Sequence, residues 1–209
     1  TDQLDLLEVI CSPTSTMTQT ANNSGLKADR WTNDDFDLSR PSGYLQAAHR
    51  LREQTPKRLW LPPECGPYSI MQNANQRNPQ RIENLRQKRE LAFRMWQSCI
   101  RLAELQVELG GTFYIEQPQR CMSWKLQDPR TRRLIDDLST YCIRDQCFDG
   151  LTHPKSGLPM QKGTRIQTND AAFAQQFAQR CQGHEHGHSH IEGSTVTYET
   201  AFYPKRFCQ

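Results

Sequence analysis

Three short apolar runs in this chain each stop at a turn made of proline or small polar residues, and helical segments lie between them. The first run, residues 4–10, carries Leu6, Leu7, Val9 and Ile10 and ends in Cys11-Ser12-Pro13-Thr14-Ser15. The second, Arg58-Leu59-Trp60-Leu61, runs directly into Pro62-Pro63. The third, Thr112-Phe113-Tyr114-Ile115, runs into Glu116-Gln117-Pro118. Helices are expected at residues 16–23, closed by Gly25, and at 43–53, with Leu45, Ala48 and Leu51 on one face. A further strand is expected at 26–31. The longest helix is expected at 79–109, with Pro79 in its first turn and Ala92, Met95, Trp96, Cys99, Ala103 and Val107 facing the core. Strand, loop and helix in alternation is the pattern of an α/β fold: a Rossmann-like, mostly parallel sheet flanked by helices.

Residues 129–141 read as another helix, with Leu134 and Leu138 inward. Beyond Cys142 the character shifts. A loop bearing glycine and proline leads to a helix at 169–180, a histidine cluster and a strand at 195–198. The expected division is therefore a Rossmann-like unit at 1–141 and a Cys/His-rich C-terminal extension at 142–209, packed on the same domain. No internal repeat is visible.

Length and composition narrow the class. A chain of 209 residues buries roughly 70 % of its unfolded surface, enough for a self-sufficient core. No apolar run approaches the roughly 20 residues of a spanning helix. Asp2, Asp5 and Glu8 argue against a signal peptide at the start of the chain, so an intracellular protein is expected. In that setting eight cysteines point to metal binding or catalysis more than to a disulfide framework. A net charge of +3 does not by itself imply nucleic-acid binding. The basic stretch from Arg77 to Arg133 is either a solvated helix face or a phosphate-contacting surface.

In open parallel sheets, ligands bind beyond the carboxyl ends of the strands. All three turns fall at such places, which points to one shared cleft. Cys65 in a proline-stiffened turn is either a buried structural cysteine or a nucleophile, and Glu64 beside it opposes the thiolate. Glu116 either pairs with an arginine such as Arg120 or exchanges a proton with a heterocycle. A thiol hydrolase using Cys65 would need a histidine, for which His153 is the candidate.

The histidine cluster lies in Cys181-Gln182-Gly183-His184-Glu185-His186-Gly187-His188-Ser189-His190. On an extended chain its alternate histidines share one side, and Cys147 or Cys142 could complete a tetrahedron. The expected ligand set is Cys147, Cys181, His186 and His188, holding a structural zinc ion that fastens the extension to the sheet. The other reading is a surface histidine-rich loop.

The strand–turn, then Pro62-Pro63-Glu64-Cys65 with Ser69, then Glu116 at a strand end, is similar to the cytosine-C5 DNA methyltransferases. A closer resemblance covers nearly the whole chain: it looks like the methyltransferase-like domain of copia-type retrotransposon polyproteins, notably of dinoflagellates. That likeness rests on Pro62 to Ser69 with Gln72-Asn73-Ala74-Asn75, Glu116-Gln117-Pro118 with Ser123-Trp124, and Asp145-Gln146-Cys147. It extends to Lys162-Gly163-Thr164-Arg165, Thr168-Asn169, Cys181 to His190 and Ala201-Phe202-Tyr203-Pro204. The resemblance implies S-adenosylmethionine as cofactor, facing Ser12, Pro13, Thr14, Ser15 and Pro62, with Asp37 contacting its adenine. It implies Cys65 as the nucleophile on C6 of a flipped-out cytosine, Glu116 at N3, and Arg165 as a further active-site residue. The partner would be nucleic acid, DNA before RNA, which would take the protein to the nucleus. The alternative is a catalytically inactive, zinc-stabilised module that binds nucleic acid or another partner.

Overall fold

The computed structural model describes residues 3–73, 78–185, 187–189, 191 and 202–209. Among the described residues six strands form one sheet: β1 (Leu6–Val9), β2 (Ala28–Trp31), β3 (Arg58–Leu61), β4 (Thr112–Pro118), β5 (Thr140–Asp145) and β6 (Gly163–Thr168), in the order β2-β1-β3-β4-β6-β5. The pairs β1–β2, β1–β3 and β3–β4 are parallel, while β6 runs antiparallel to both β4 and β5. Five strands thus point one way and β6 alone points back. Five helices flank the sheet: α1 (Thr16–Asn23), α2 (Pro41–Gln54), α3 (Pro79–Glu108), α4 (Pro129–Arg132) and α5 (Ala171–Phe177). The Rossmann-like α/β expectation is met.

Alternation along the strands divides the core between two faces. Leu59, Leu61, Phe113 and Ile115 point to one side, with Leu7, Val9 and Trp31 in the same cluster. There they meet Ala47, Ala48 and Leu51 of α2 and the stripe Ala92, Met95, Trp96, Cys99 and Ala103 of α3. On the other side Trp60, Tyr114 and Ile166 meet Met17 of α1, Ala174 of α5 and Phe207 from the end of the chain. The Trp96 indole N–H donates to Thr131 Oγ1 at 2.9 Å and its ring meets Trp124 edge-on, which ties α3 to α4. Among the described residues, no helix is long and apolar enough to cross a membrane.

Local chemistry sets the helix limits. Asn78 caps α3 by accepting from the N–H groups of Gln80 and Arg81, and Pro79 takes the first position. Gly110, at φ 80°, ends it. The inward face of α2 is Tyr44, Ala47, Ala48 and Leu51; Leu45, expected inside, is 63 % exposed. Leu138 and Val107 are also exposed, contrary to expectation.

The largest departures lie after residue 129. The helix expected at 129–141 is only α4 followed by a wider turn, Arg133–Asp137, and the chain then enters β5. This strand runs across the division expected at 141/142. The segment at 163–168, read as loop, is β6; its buried side chains include Thr164, Gln167 and Thr168, so hydrophobic patterning could not reveal it. The helix expected at 169–180 is the shorter α5, capped by Asp170, whose carboxylate accepts from the Phe173 N–H. The strand expected at 195–198 lies outside the described residues.

Gly43 packs directly on the backbone of Asp37. A Cβ there would stand 2.1 Å from the Asp37 carbonyl oxygen, so no side chain fits without moving backbone. Gly43→Ala should therefore cost about 2 kcal/mol or more, whereas Leu45→Ala two residues on should stay within about 0.5 kcal/mol. Urea unfolding of the two variants beside the parent protein measures both.

Candidate functional site at the carboxyl edge of the sheet

The chain order reverses at β1: β2 lies on one side of it and β3 on the other. At such a switch the two connections diverge to opposite faces and leave a crevice beyond the strand ends. A cleft of about 640 Å³ lies there, within the usual range for ligand sites. One wall is Glu8, Ile10, Cys11, Ser12, Ser15 and Thr16. The other runs from Pro62 to Gly66 and on to Ser69 and Ile70. Glu116, Pro118, Arg120, Cys121 and Lys162 line it from β4 and the approach to β6, and Ile191, Phe202 and Tyr203 from the C-terminal segment.

The β1 wall begins with a strained residue. Ile10 has φ 62°, a left-handed conformation that β-branched side chains resist. Its N–H donates to the Trp31 carbonyl at 2.8 Å, which helps hold the bend. Beneath the wall lies Glu8, 1 % exposed, its Oε2 accepting from the hydroxyls of Ser15 at 2.5 Å and Thr18 at 2.7 Å. Ser15 also caps α1 by accepting from the Met17 N–H. Glu8 is the one charged group of this wall. A carboxylate at the entrance of α1 repels phosphate and suits a cationic or hydroxyl-bearing ligand.

The opposite wall is braced from three directions. The Gln117 amide N–H₂ donates to the carbonyls of Pro63 at 3.1 Å and Glu64 at 3.4 Å, and its oxygen accepts from the Ser123 hydroxyl. Arg89 Nε donates to the Pro67 carbonyl at 3.0 Å, and the Tyr68 hydroxyl donates back to the Arg89 carbonyl at 3.1 Å. Cys121 Sγ points at the carbonyl oxygens of Tyr68 and Cys65, at 3.7 and 3.9 Å. Cys65 is therefore fixed and half-buried. Burial pushes its thiol up to about 11, with the Glu116 carboxylate and Cys121 adding to the rise. Burial likewise pushes the Cys11 thiol up to about 12.

Glu116 sits inside β4, one residue beyond its expected end, and is 7 % exposed. Its Oε2 accepts from the Tyr203 hydroxyl at 2.7 Å, and that hydroxyl accepts from the Trp60 indole N–H at 3.3 Å. Its Oε1 has no hydrogen-bond partner among the described residues. Burial holds the carboxyl above the usual carboxylate range, although Lys162 and the hydroxyls of Tyr203 and Thr164 pull it partly back.

The remaining expected residues divide clearly. Ser12, Ser15 and Pro62 line the cleft; Pro13 and Thr14 are exposed beside it. Asp37 stands outside the lining, bonded to Ser39 and paired with Arg40 at 2.9 Å. Arg165 pairs in register with Gln117, the neighbour of Glu116, so it belongs to the opposite face of the sheet. There it stacks on Trp124 and Tyr141 and donates to Gln167. His153 lies away from the cleft, its ring nitrogen accepting from the N–H groups of Lys155 and Ser156.

Cys147, Cys181 and His188 come together as expected, with His184 as fourth member; His186 lies outside the described residues. Cys142 is instead packed with Ile166 on the sheet. Sequence reasoning missed Glu8, Lys162 and Tyr203. For Glu8 a signal existed: a lone acid inside an apolar strand.

Part of the basic stretch is paired with acids. Arg86 pairs with Glu83 and Glu90 and Arg94 with Glu90 along α3, and Arg130 of α4 pairs with Glu104 of α3. Arg81 and Lys88, by contrast, line a groove of about 410 Å³ that shares Glu64 and Gly66 with the main cleft.

No protein-family description matches the chain, and no curated protein sequence does. Among solved structures, the crystal structure of the S. pombe Dnmt2 methyltransferase is similar to it, with a TM-score of 0.42 at 12 % sequence identity. The likeness covers 88 % of this chain and 57 % of that one, so this chain spans a little over half the length of that methyltransferase.

Proposed function

We propose that this domain is an S-adenosylmethionine-dependent methyltransferase-like unit acting on a nucleic-acid base. The observation that carries the reading is the pairing of Cys65 and Glu116 across one cleft, the latter with an unpartnered buried oxygen. Burial raises this carboxyl above the usual range, and in its protonated form it can donate to a ring nitrogen, the task of an acid at N3 of cytosine. A rigid thiol on the other wall can reach the ring face.

The β1 wall fits the cofactor's chemistry. S-adenosylmethionine is a sulfonium bearing an amine and ribose hydroxyls, and Glu8, Ser12 and Ser15 offer a carboxylate and hydroxyls where a phosphate binder would need donors. Bound there, it would supply an electrophilic methyl group. The chain's own residues do the rest. Cys65, its proton passed to water, adds as thiolate to C6, the π component of the C5=C6 bond breaks, and its electron pair moves to C5 while Glu116 holds N3. After C5 has been substituted, water in the cleft takes the C5 proton, the double bond re-forms and the Cys65–C6 bond breaks, which returns the thiolate. The groove at Arg81 and Lys88 would take the phosphate backbone of the strand whose base enters the cleft.

Burial and the Glu116 carboxylate push the Cys65 thiol up to about 11, which opposes thiolate formation at neutral pH. That observation favours one second reading, a module that binds nucleic acid without transferring a methyl group. The two part on simple measurements. The first expects S-adenosylmethionine to raise Tm by mass action, at saturating excess by several degrees. It also expects labelled methyl to reach nucleic acid with the parent protein and not with Cys65→Ala, which still binds the cofactor. No shift and no calorimetric heat removes the enzyme reading and leaves the second.

The electrostatic coupling has its own test. Alkylation of Cys65, followed by peptide mapping, should be slow at pH 7 and rise steadily as pH climbs toward about 11. Glu116 raises the thiol, so Glu116→Gln should lower it and speed alkylation at pH 9 several-fold. An unchanged rate in that variant would show the two groups to be uncoupled.

A further inference from the structure

We propose that Cys147, Cys181, His184 and His188 bind a structural zinc ion that pins the 181–191 segment to the sheet and so holds the Ile191 wall of the cleft. Cys147 comes from the turn Gln146–Asp149 directly after β5, and the other three from the chain that follows α5. Their donor atoms all lie within 4.8 Å of one another, and Cys181 Sγ stands 3.4 Å from His188 Nε2. Bonds of about 2.0–2.3 Å at tetrahedral angles hold donors roughly 3.3–3.8 Å apart, so small side-chain movements close the shell.

A second observation points to an ion. His184 Nε2 is buried with no hydrogen-bond partner among the described residues, an expensive arrangement for an imidazole unless a metal takes the lone pair. The donor set is two sulfurs and two nitrogens with no carboxylate, which selects zinc over magnesium or calcium. Four protein ligands leave no open position, so the ion is structural and does not activate water.

The surroundings brace the ligands as outer partners of metal sites do. Asp145 accepts from the Cys181 N–H at 2.8 Å and from Arg180 Nε at 3.1 Å, while the Gly183 N–H points at Cys181 Sγ at 3.3 Å. Among the described residues the segment is further held by the Ser189 N–H, which donates to the Pro159 carbonyl at 2.9 Å. Its apolar anchorage is Ile191 on Leu151 and Met160, a satellite of the main core. Ile191 also lines the cleft, which links the metal to the site without making it part of the chemistry.

The test uses the whole chain expressed in zinc-supplemented medium. Elemental analysis should find one zinc ion per chain. The cobalt-exchanged protein should show the visible bands of tetrahedral Co²⁺ with thiolate charge transfer. Cys181→Ser and His184→Ala should lose most of the metal, and His186→Ala should keep it. Chelation should lower Tm by about 5 °C or more, reversibly on return of zinc. Metal-free parent protein with a Cys147–Cys181 disulfide in non-reducing peptide maps would overturn the proposal. So would zinc that survives His184→Ala but leaves in His186→Ala. Should a variant fail to fold, the cobalt spectrum of the parent chain still decides.

Discussion

The reversal of strand order at β1 is the constraint on which the rest of this molecule depends. Because β2 and β3 pair with β1 on opposite sides, α1 and α2 cover opposite faces, and the connections diverge beyond the ends of β1 and β3. The crevice follows from topology, not from any special residue. What makes this crevice particular is what its edges carry. The β1 edge has the strained Ile10 above a buried Glu8; the β3 edge has two prolines and a cysteine turn locked by Gln117, Cys121 and Arg89. Strain and bracing of this kind are sustained only where the surrounding structure over-determines them.

Buried acids set the electrostatic character of the site. Glu8 accepts from two hydroxyls on its Oε2, whereas Glu116 accepts from Tyr203 on Oε2 and its buried Oε1 has no hydrogen-bond partner among the described residues. Removing a carboxylate from water costs several kcal/mol unless the group is paired or neutralised, so Glu116 is drawn toward its protonated form. In its ionised form the same group works against the Cys65 thiolate. The two groups are coupled: whatever neutralises Glu116, a bound base included, also eases ionisation of the thiol.

The C-terminal part of the chain is integral to this arrangement. β5 and β6 extend the sheet, and β6 brings Thr164 and Ile166 onto the Glu116 face. Tyr203 and Phe207 return across Trp60, Tyr203 bonding both Trp60 and Glu116. The cleft is thus assembled from residues nearly two hundred positions apart in the chain.

Sequence by itself determined the elements whose signals are local: β1, β3, the long amphipathic α3 with its Asn78-Pro79 start, and the strand-end turns that carry Cys65 and Glu116. Those turns were legible because proline, small residues and apolar runs act on their immediate neighbours. Tertiary structure alone decided what depends on distant pairing. A strand of buried threonine and glutamine such as β6 has no hydrophobic signature, and it exists because β4 and β5 satisfy its backbone from either side. Leu45 turned outward because Gly43 packs on Asp37 and sets the helix's rotation. Arg165 left the cleft through the parity of a register that no single strand contains, and His184 meets Cys147 through contact between segments far apart in the chain. Residue chemistry names the candidates locally; which of them meet is fixed by backbone pairing over long separations.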